Sequence, residues 1–257
     1  MNNNLNLYTD LITEKKIITG KEKIINKNNN LKVLKTTLNN NKYTTITFND
    51  ISTKNNYIEV QNILINELKE YLKLKENDII LVIGLGNSKS TPDSLGPSTV
   101  DNVLVTRYLF LSNNIDKGYS NVSSFIPNVM GNTGINSIKI IKNIIKEIKA
   151  TKVIIIDSLK TYNLDRLLKT IQITNEGISP GSGINNNRGE ISKKNMHTEI
   201  IAIGVPTVVD IKTIIKDKEN IIVTPTNIDF IIEKLSILIG NSINISLHKN
   251  FIRQKQS

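Results

Sequence analysis

The sequence predicts an α/β fold: a three-layer sandwich on a mainly parallel twisted sheet, with a small N-terminal β/α appendage. Three observations carry that expectation. Ile79-Ile80-Leu81-Val82-Ile83 and Val153-Ile154-Ile155-Ile156 are unbroken apolar runs, which suit strands buried on both faces. Helical periodicity fills the intervals between such runs. The chain has 257 residues, 39% of them hydrophobic, which is enough for one large domain with a real core.

In chain order, residues 1–30 are polar and Asn/Lys-rich, and read as loosely attached. Strand patterns follow at 32–38 and 42–48, where Thr44, Ile46 and Phe48 alternate with Thr45 and Thr47, and Asn39-Asn40-Asn41 supplies the turn. Val60, Ile63, Leu64, Leu68, Tyr71 and Leu72 recur at helical spacing over 58–74. Strand 79–85 then leads through a Gly/Asn/Ser loop to a helix over 94–111, with Thr91 as cap and Pro92 at its first position. A strand at 121–126, a helix at 134–149 and a strand at 152–157 come next. They are followed by a helix at 162–169, a strand at 170–174 and a long loop over 175–188 whose glycines permit close backbone approach. Strand 199–205 and a helix at 227–239 complete the pattern. No internal repeat or clean linker interrupts 79–248.

Composition narrows the chemistry. Cysteine is absent, which excludes disulfides, thiolate metal sites and a cysteine nucleophile. The two histidines, His197 and His248, are too few for a histidine-rich metal site and read as surface or packing residues. The net charge of +10 comes mostly from lysine and reads as a solvated basic surface. There is no tryptophan and no aromatic-rich basic stretch, so base stacking, and with it direct nucleic-acid binding, is not expected. No stretch has the roughly 18 consecutive apolar residues of a membrane helix. The N-terminus lacks the charged start and apolar centre of a signal peptide. A cytoplasmic protein without membrane contact is the expectation.

The chemistry-bearing residues sit where strands end. Asp93 lies in Thr91-Pro92-Asp93-Ser94-Leu95-Gly96-Pro97 after the first apolar run, and Asp157 closes the second. In parallel α/β sheets ligands bind beyond the carboxyl ends of the strands, so the two acids could share one cleft. Asp93 alone is better explained by a helix-dipole role, and structural acids also occur at strand ends like that of Asp157. Together they could divide acid and base roles near neutral pH, because neighbouring carboxylates repel and one retains its proton. The same pair could instead hold a divalent metal. Gly84-Leu85-Gly86-Asn87 lacks the third glycine of a dinucleotide fingerprint and the Gly-Lys-Ser/Thr of a phosphate loop. Gly177-Ile178-Ser179-Pro180-Gly181-Ser182-Gly183 reads as a substrate-facing loop, with Gly181, Ser182 and Gly183 as its candidate contacts. Its serines lack an evident histidine base. Arg166 and Arg188, two of only four arginines, could pair with a substrate carboxylate or form structural ion pairs.

These segments together resemble the germination protease family, the endopeptidases of small acid-soluble spore proteins in endospore-forming bacteria. The resemblance is carried by the motifs already quoted and by Leu104-Val105-Thr106-Arg107-Tyr108-Leu109-Phe110, Val129-Met130-Gly131-Asn132-Thr133-Gly134, Thr170-Ile171-Gln172-Ile173-Thr174, Ile203-Gly204-Val205-Pro206-Thr207-Val208-Val209-Asp210 and Val223-Thr224-Pro225. It is dense over 79–248 and thinner over 8–75. After the second acid, Lys160-Thr161-Tyr162-Asn163-Leu164-Asp165 replaces a more alanine-rich family stretch.

The resemblance implies a fold similar to hydrogenase maturation proteases and an atypical aspartic-type endopeptidase, with Asp93 and Asp157 as its catalytic acids. It implies no cofactor and no metal. It also implies a homotetrameric zymogen in the forespore and spore core that activates by cleaving itself near the N-terminus. On germination the enzyme then begins the degradation of small acid-soluble spore proteins, with an acidic residue before the cut and an apolar residue after it. Tyr8-Thr9-Asp10-Leu11 resembles the family's processing region. The expected organisation is therefore a prosegment at 1–14 and a single protease domain at 15–257, comprising the appendage at 15–75 and a catalytic core at 79–248. Two other readings accompany this one: a metal-dependent maturation-type protease, and a non-catalytic basic spore protein that binds DNA or its protein coat.

Overall fold

The structure, a computed structural model, describes residues 10–14, 22–27, 30–179, 189–210 and 222–251. Its nine strands are β1 (Glu22–Lys27), β2 (Leu31–Leu38), β3 (Asn41–Phe48), β4 (Ile79–Gly84), β5 (Asn121–Phe125), β6 (Lys152–Thr161), β7 (Thr170–Thr174), β8 (Glu199–Asp210) and β9 (Ile222–Val223). They form one sheet in the order β1-β2-β3-β7-β8-β6-β4-β5, with β9 pairing β8. The centre is parallel, through β8–β6, β6–β4 and β4–β5. The wing β1-β2-β3-β7 and its junction with β8 are antiparallel.

Helices cover both faces, as the apolar runs require. On one face lie α1 (Lys54–Leu72), α2 (Leu95–Val100) and α7 (Ile228–Leu247). There Val60, Leu64, Leu68, Leu235, Leu238 and Ile239 pack on Ile80, Val82, Ile154, Ile156, Ile201 and Ile203. On the other face Ile141 and Ile145 of α5 (Ser137–Ile148) pack on Leu81, Ile83, Val153 and Ile155. Even and odd residues of β4 and β6 thus serve opposite layers, which is why neither run shows polar alternation. The fold class expected from the sequence is the one observed. By length and composition α7 could cross a membrane, but it is a core helix here, packed on α1 and α2.

Several local expectations change. The Asn39-Asn40 turn forms with both residues left-handed (φ 49° and 65°), the geometry of a type I′ hairpin that asparagine tolerates. The helix expected over 94–111 is broken into α2 and α3 (Arg107–Leu111). The cause is Asn244 of α7, whose amide donates to the Asn102 carbonyl and accepts from the Leu104 N–H at 2.8 Å each, holding the chain out of the helix. The helix expected at 162–169 is one 3₁₀ turn, Leu164–Arg166, and Leu168 turns left-handed so that its N–H reaches the Pro206 carbonyl. Strands β6 and β8 run past the expected 157 and 205 to Thr161 and Asp210. Residues 1–30 are not uniformly loose, since β1 joins the sheet and residues 10–14 are docked, as described next. Short helices α4 (Met130–Thr133) and α6 (Lys193–Met196) complete the described elements.

Candidate active site

Asp157 stands on β6 at the register where β4 has already ended, since Gly84 pairs with Ile156. Asp93 ends the 3₁₀ turn Thr91–Asp93, which folds back from β4. Glycines make that return possible. Gly86 has φ +118°, and a Cβ there would lie 2.0 Å from the Asp93 carbonyl oxygen. A Cβ on Gly96 would lie 2.2 Å from the Leu85 carbonyl oxygen and 2.7 Å from that of Ile156. The loop is pinned by the Asn87 N–H to the Asp93 carbonyl (2.9 Å) and by the Leu85 N–H to the Ile156 carbonyl (2.8 Å). The glycine motif therefore works by close backbone packing that brings Asp93 to the end of β6.

The two carboxyls meet electrostatically. Burial pushes Asp93 up to about 6, against a smaller downward pull from the Asn87 backbone amide. Asp157 is held well above the ordinary carboxylate range, first by burial, then by the charges of Asp93 and Asp10. The Ser158 N–H, 2.9 Å from Asp157 Oδ1, pulls the other way. Burial dominates both shifts, and the charge of Asp93 adds a further upward push on Asp157.

The third acid, Asp10, belongs to a docked segment. Its N–H donates to the Lys160 carbonyl (3.3 Å), and the Lys160 N–H donates to Asp10 Oδ2 (2.9 Å). Leu11 and Ile12 are 0% exposed, as fully buried as core residues. The Ile12 N–H donates to Gln172 Oε1 at 2.8 Å, and Gln172 Nε2 donates to the Asp10 carbonyl at 3.3 Å. Glu14 accepts from Thr161 Oγ1 and from the Tyr162 N–H, and its carbonyl accepts from the Tyr162 hydroxyl. Arg166 donates to Thr13 Oγ1 and lies 3.8 Å from Glu14 Oε1, so of its two expected roles the structure gives it an ion pair within the chain. Gly181, Ser182, Gly183 and Arg188, like Tyr8 and Thr9, lie outside the described residues.

The family model for germination protease matches residues 11–219. The chain belongs to the germination protease family. A germination protease of Caldanaerobacter subterraneus subsp. tengcongensis is 34% identical over 242 residues, covering 77% of this chain and 75% of that one. One from Clostridium perfringens is 35% identical over 238 residues, covering 76% and 73%. One from Bacillus subtilis is 48% identical over 150 residues, covering 58% and 41%. Among solved structures, a nickel–iron hydrogenase maturation protease HycI from Thermococcus kodakarensis aligns with a TM-score of 0.41 at 15% identity, covering 69% of this chain and 98% of that one.

In this germination protease family member the remaining polar groups sort by position. His248 is buried, accepts from the Ser120 N–H and is held below its usual pKa by burial, while His197 is an exposed helix end. Lys160 and Asp210 form a 2.8 Å ion pair at the far ends of β6 and β8. Gln172, Lys160 and Glu14 were not legible as site residues in the sequence. The one signal for Gln172 was an amide placed mid-strand between Ile171 and Ile173. Among the described residues no group of three or more His, Cys, Asp or Glu could hold a metal ion.

Proposed function

We propose that this peptidase is an aspartic-type endopeptidase made as a self-processing zymogen, with Asp10–Leu11 as the bond it first cuts. The observation that carries this reading is the meeting of two carboxyls with elevated pKa beside a docked acidic–apolar pair. We assign the acid role to the more deeply buried Asp157 and the base role to Asp93, since burial raises both and Asp157 the more. Asp93 then takes a proton from water as it attacks the Asp10 carbonyl carbon, and Asp157 gives its proton to the Leu11 nitrogen as the C–N bond breaks. The substrates proposed in trans are small acid-soluble spore proteins in the cytoplasm of the forespore and spore core, with a homotetramer as the working assembly.

The test is incubation of the purified chain at mildly acidic pH, with the new N-terminus read by mass spectrometry. Leu11 is the expected first residue. Asp93→Asn and Asp157→Asn should fold and remain uncut, and a chelator should leave the wild-type rate unchanged. Processing in either Asn variant would sink the two-acid mechanism.

A further inference from the structure

The two-acid reading leaves the role of Gln172 open. This residue lies on β7 in register with Gly204 of β8, and Gly204 is in register with Asp157 of β6. Partners in register project to the same face, so Gln172 and Asp157 share a face, with the Leu159 side chain lying over Gly204 between their strands. Ile171 and Ile173 serve the opposite layer, which leaves the Gln172 amide for the face where residues 10–14 dock. Its two ends grip that segment on both sides of Leu11. Oε1 accepts from the Ile12 N–H at 2.8 Å and Nε2 donates to the Asp10 carbonyl at 3.3 Å. Gln172 is buried, so water competes little for either contact.

We propose that Gln172 is a catalytic residue, the main-chain clamp and oxyanion donor of this protease: Nε2 stabilises the carbonyl oxygen of the bond being cut, and Oε1 fixes the register of the chain beyond it. This rests on the reading that Asp10–Leu11 is the scissile bond. Water adds to the Asp10 carbonyl carbon and loses a proton to the basic carboxylate. The C=O electron pair moves onto the oxygen facing Gln172 Nε2. When that pair returns, the C–N bond breaks and the Leu11 nitrogen takes the proton of the acidic carboxyl. A 3.3 Å contact to the resting carbonyl leaves room for the bond to shorten as charge develops, which is what makes a donor stabilise the transition state more than the ground state. Both contacts use main-chain groups, so the same clamp serves any peptide bound in this place.

The test uses the full chain and a peptide spanning an Asp-Leu bond. Gln172→Leu should slow appearance of the Leu11 terminus and peptide turnover by roughly 10²–10³-fold, the usual loss for one oxyanion donor. Gln172→Glu keeps the shape and the acceptor. It should be as slow at neutral pH and recover steeply on acidification, when the introduced carboxyl regains a donor hydrogen; a packing role would not produce that pH profile. A peptide N-methylated at the second residue after the cut removes the hydrogen for Oε1, and wild-type protein should cut it with a KM at least tenfold higher. This arm needs no variant to fold. Equal rates for folded Gln172→Glu and wild type across pH, or equal KM for the methylated peptide, would overturn the clamp while leaving the two-acid reading intact. A wild-type terminus other than Leu11 would overturn the assignment of Asp10–Leu11 as the scissile bond and the clamp with it.

Discussion

At the scale of single residues, the proposed two-acid mechanism depends on holding two carboxyls where water solvates them poorly. That has a stability consequence with a definite sign. Asp93 rises from 3.8 to about 6, so the folded state binds the proton more tightly than the unfolded chain. Its contribution is favourable below the unfolded value and is lost as pH climbs through the folded one, between about 4 and 6. The shift corresponds to roughly 3 kcal/mol, reduced to about 1–2 kcal/mol by partial solvent access. Asp93→Asn should therefore melt higher than wild type at pH 7 and show a flatter dependence on pH over that window, measured by thermal unfolding. The same substitution should abolish cleavage, so stability and activity move in opposite directions. Peptide turnover against pH should peak on the acidic side of neutrality, with limbs that belong to the pair rather than to either acid. Asp93 and Asp157 were legible as candidates because each follows an apolar run that marks a central parallel strand, although β6 continues past Asp157 to Thr161. Gln172 was not, because a glutamine inside a strand looks the same whether its amide faces a neighbour or a substrate.

Among elements, the decisive contact is the close packing of the β4 loop against the start of α2. A Cβ on Gly96 would fall 2.2 Å from the Leu85 carbonyl oxygen, so Gly96→Ala must push α2 and Asp93 away from β6. We expect a loss of about 2–3 kcal/mol in urea unfolding and at least a tenfold drop in self-processing, larger than stability alone explains. The Lys160–Asp210 pair ties the ends of β6 and β8 at 2.8 Å, with side chains only about a tenth exposed (10% and 11%). Lys160→Ala should destabilise by roughly 3 kcal/mol, as removal of one partner of a buried pair does. Strand positions were readable from apolar runs, but their full lengths were not. The ends of β6 and β8 carry Lys160, Thr161 and Asp210, polar residues buried through partners distant in the chain. The break between α2 and α3 escaped for the same reason, since Asn244, which enforces it, is 140 residues away from Leu104.

Across the whole molecule, one continuous sheet gathers the site from chain regions far apart. The N-terminal wing reaches the parallel centre through β3–β7, and β7 supplies Gln172. The docked segment is the least predictable part, since residues 10–14 are held by hydrogen bonds to Gln172, Lys160, Tyr162 and Arg166, none of them local. Ile12→Ala should lower stability by roughly 2–4 kcal/mol or release the segment altogether; hydrogen exchange at residues 10–14 separates a general loss from a local one. The segment is taken up partly through its own amide and carbonyl groups, at Asp10 and Ile12. A polypeptide already coiled or paired with itself has no such groups to lend. On the proposed reading of the segment as a bound substrate, resistance to cleavage is then a property of a client's conformation as much as of its residues, and whatever keeps a client folded also shields it.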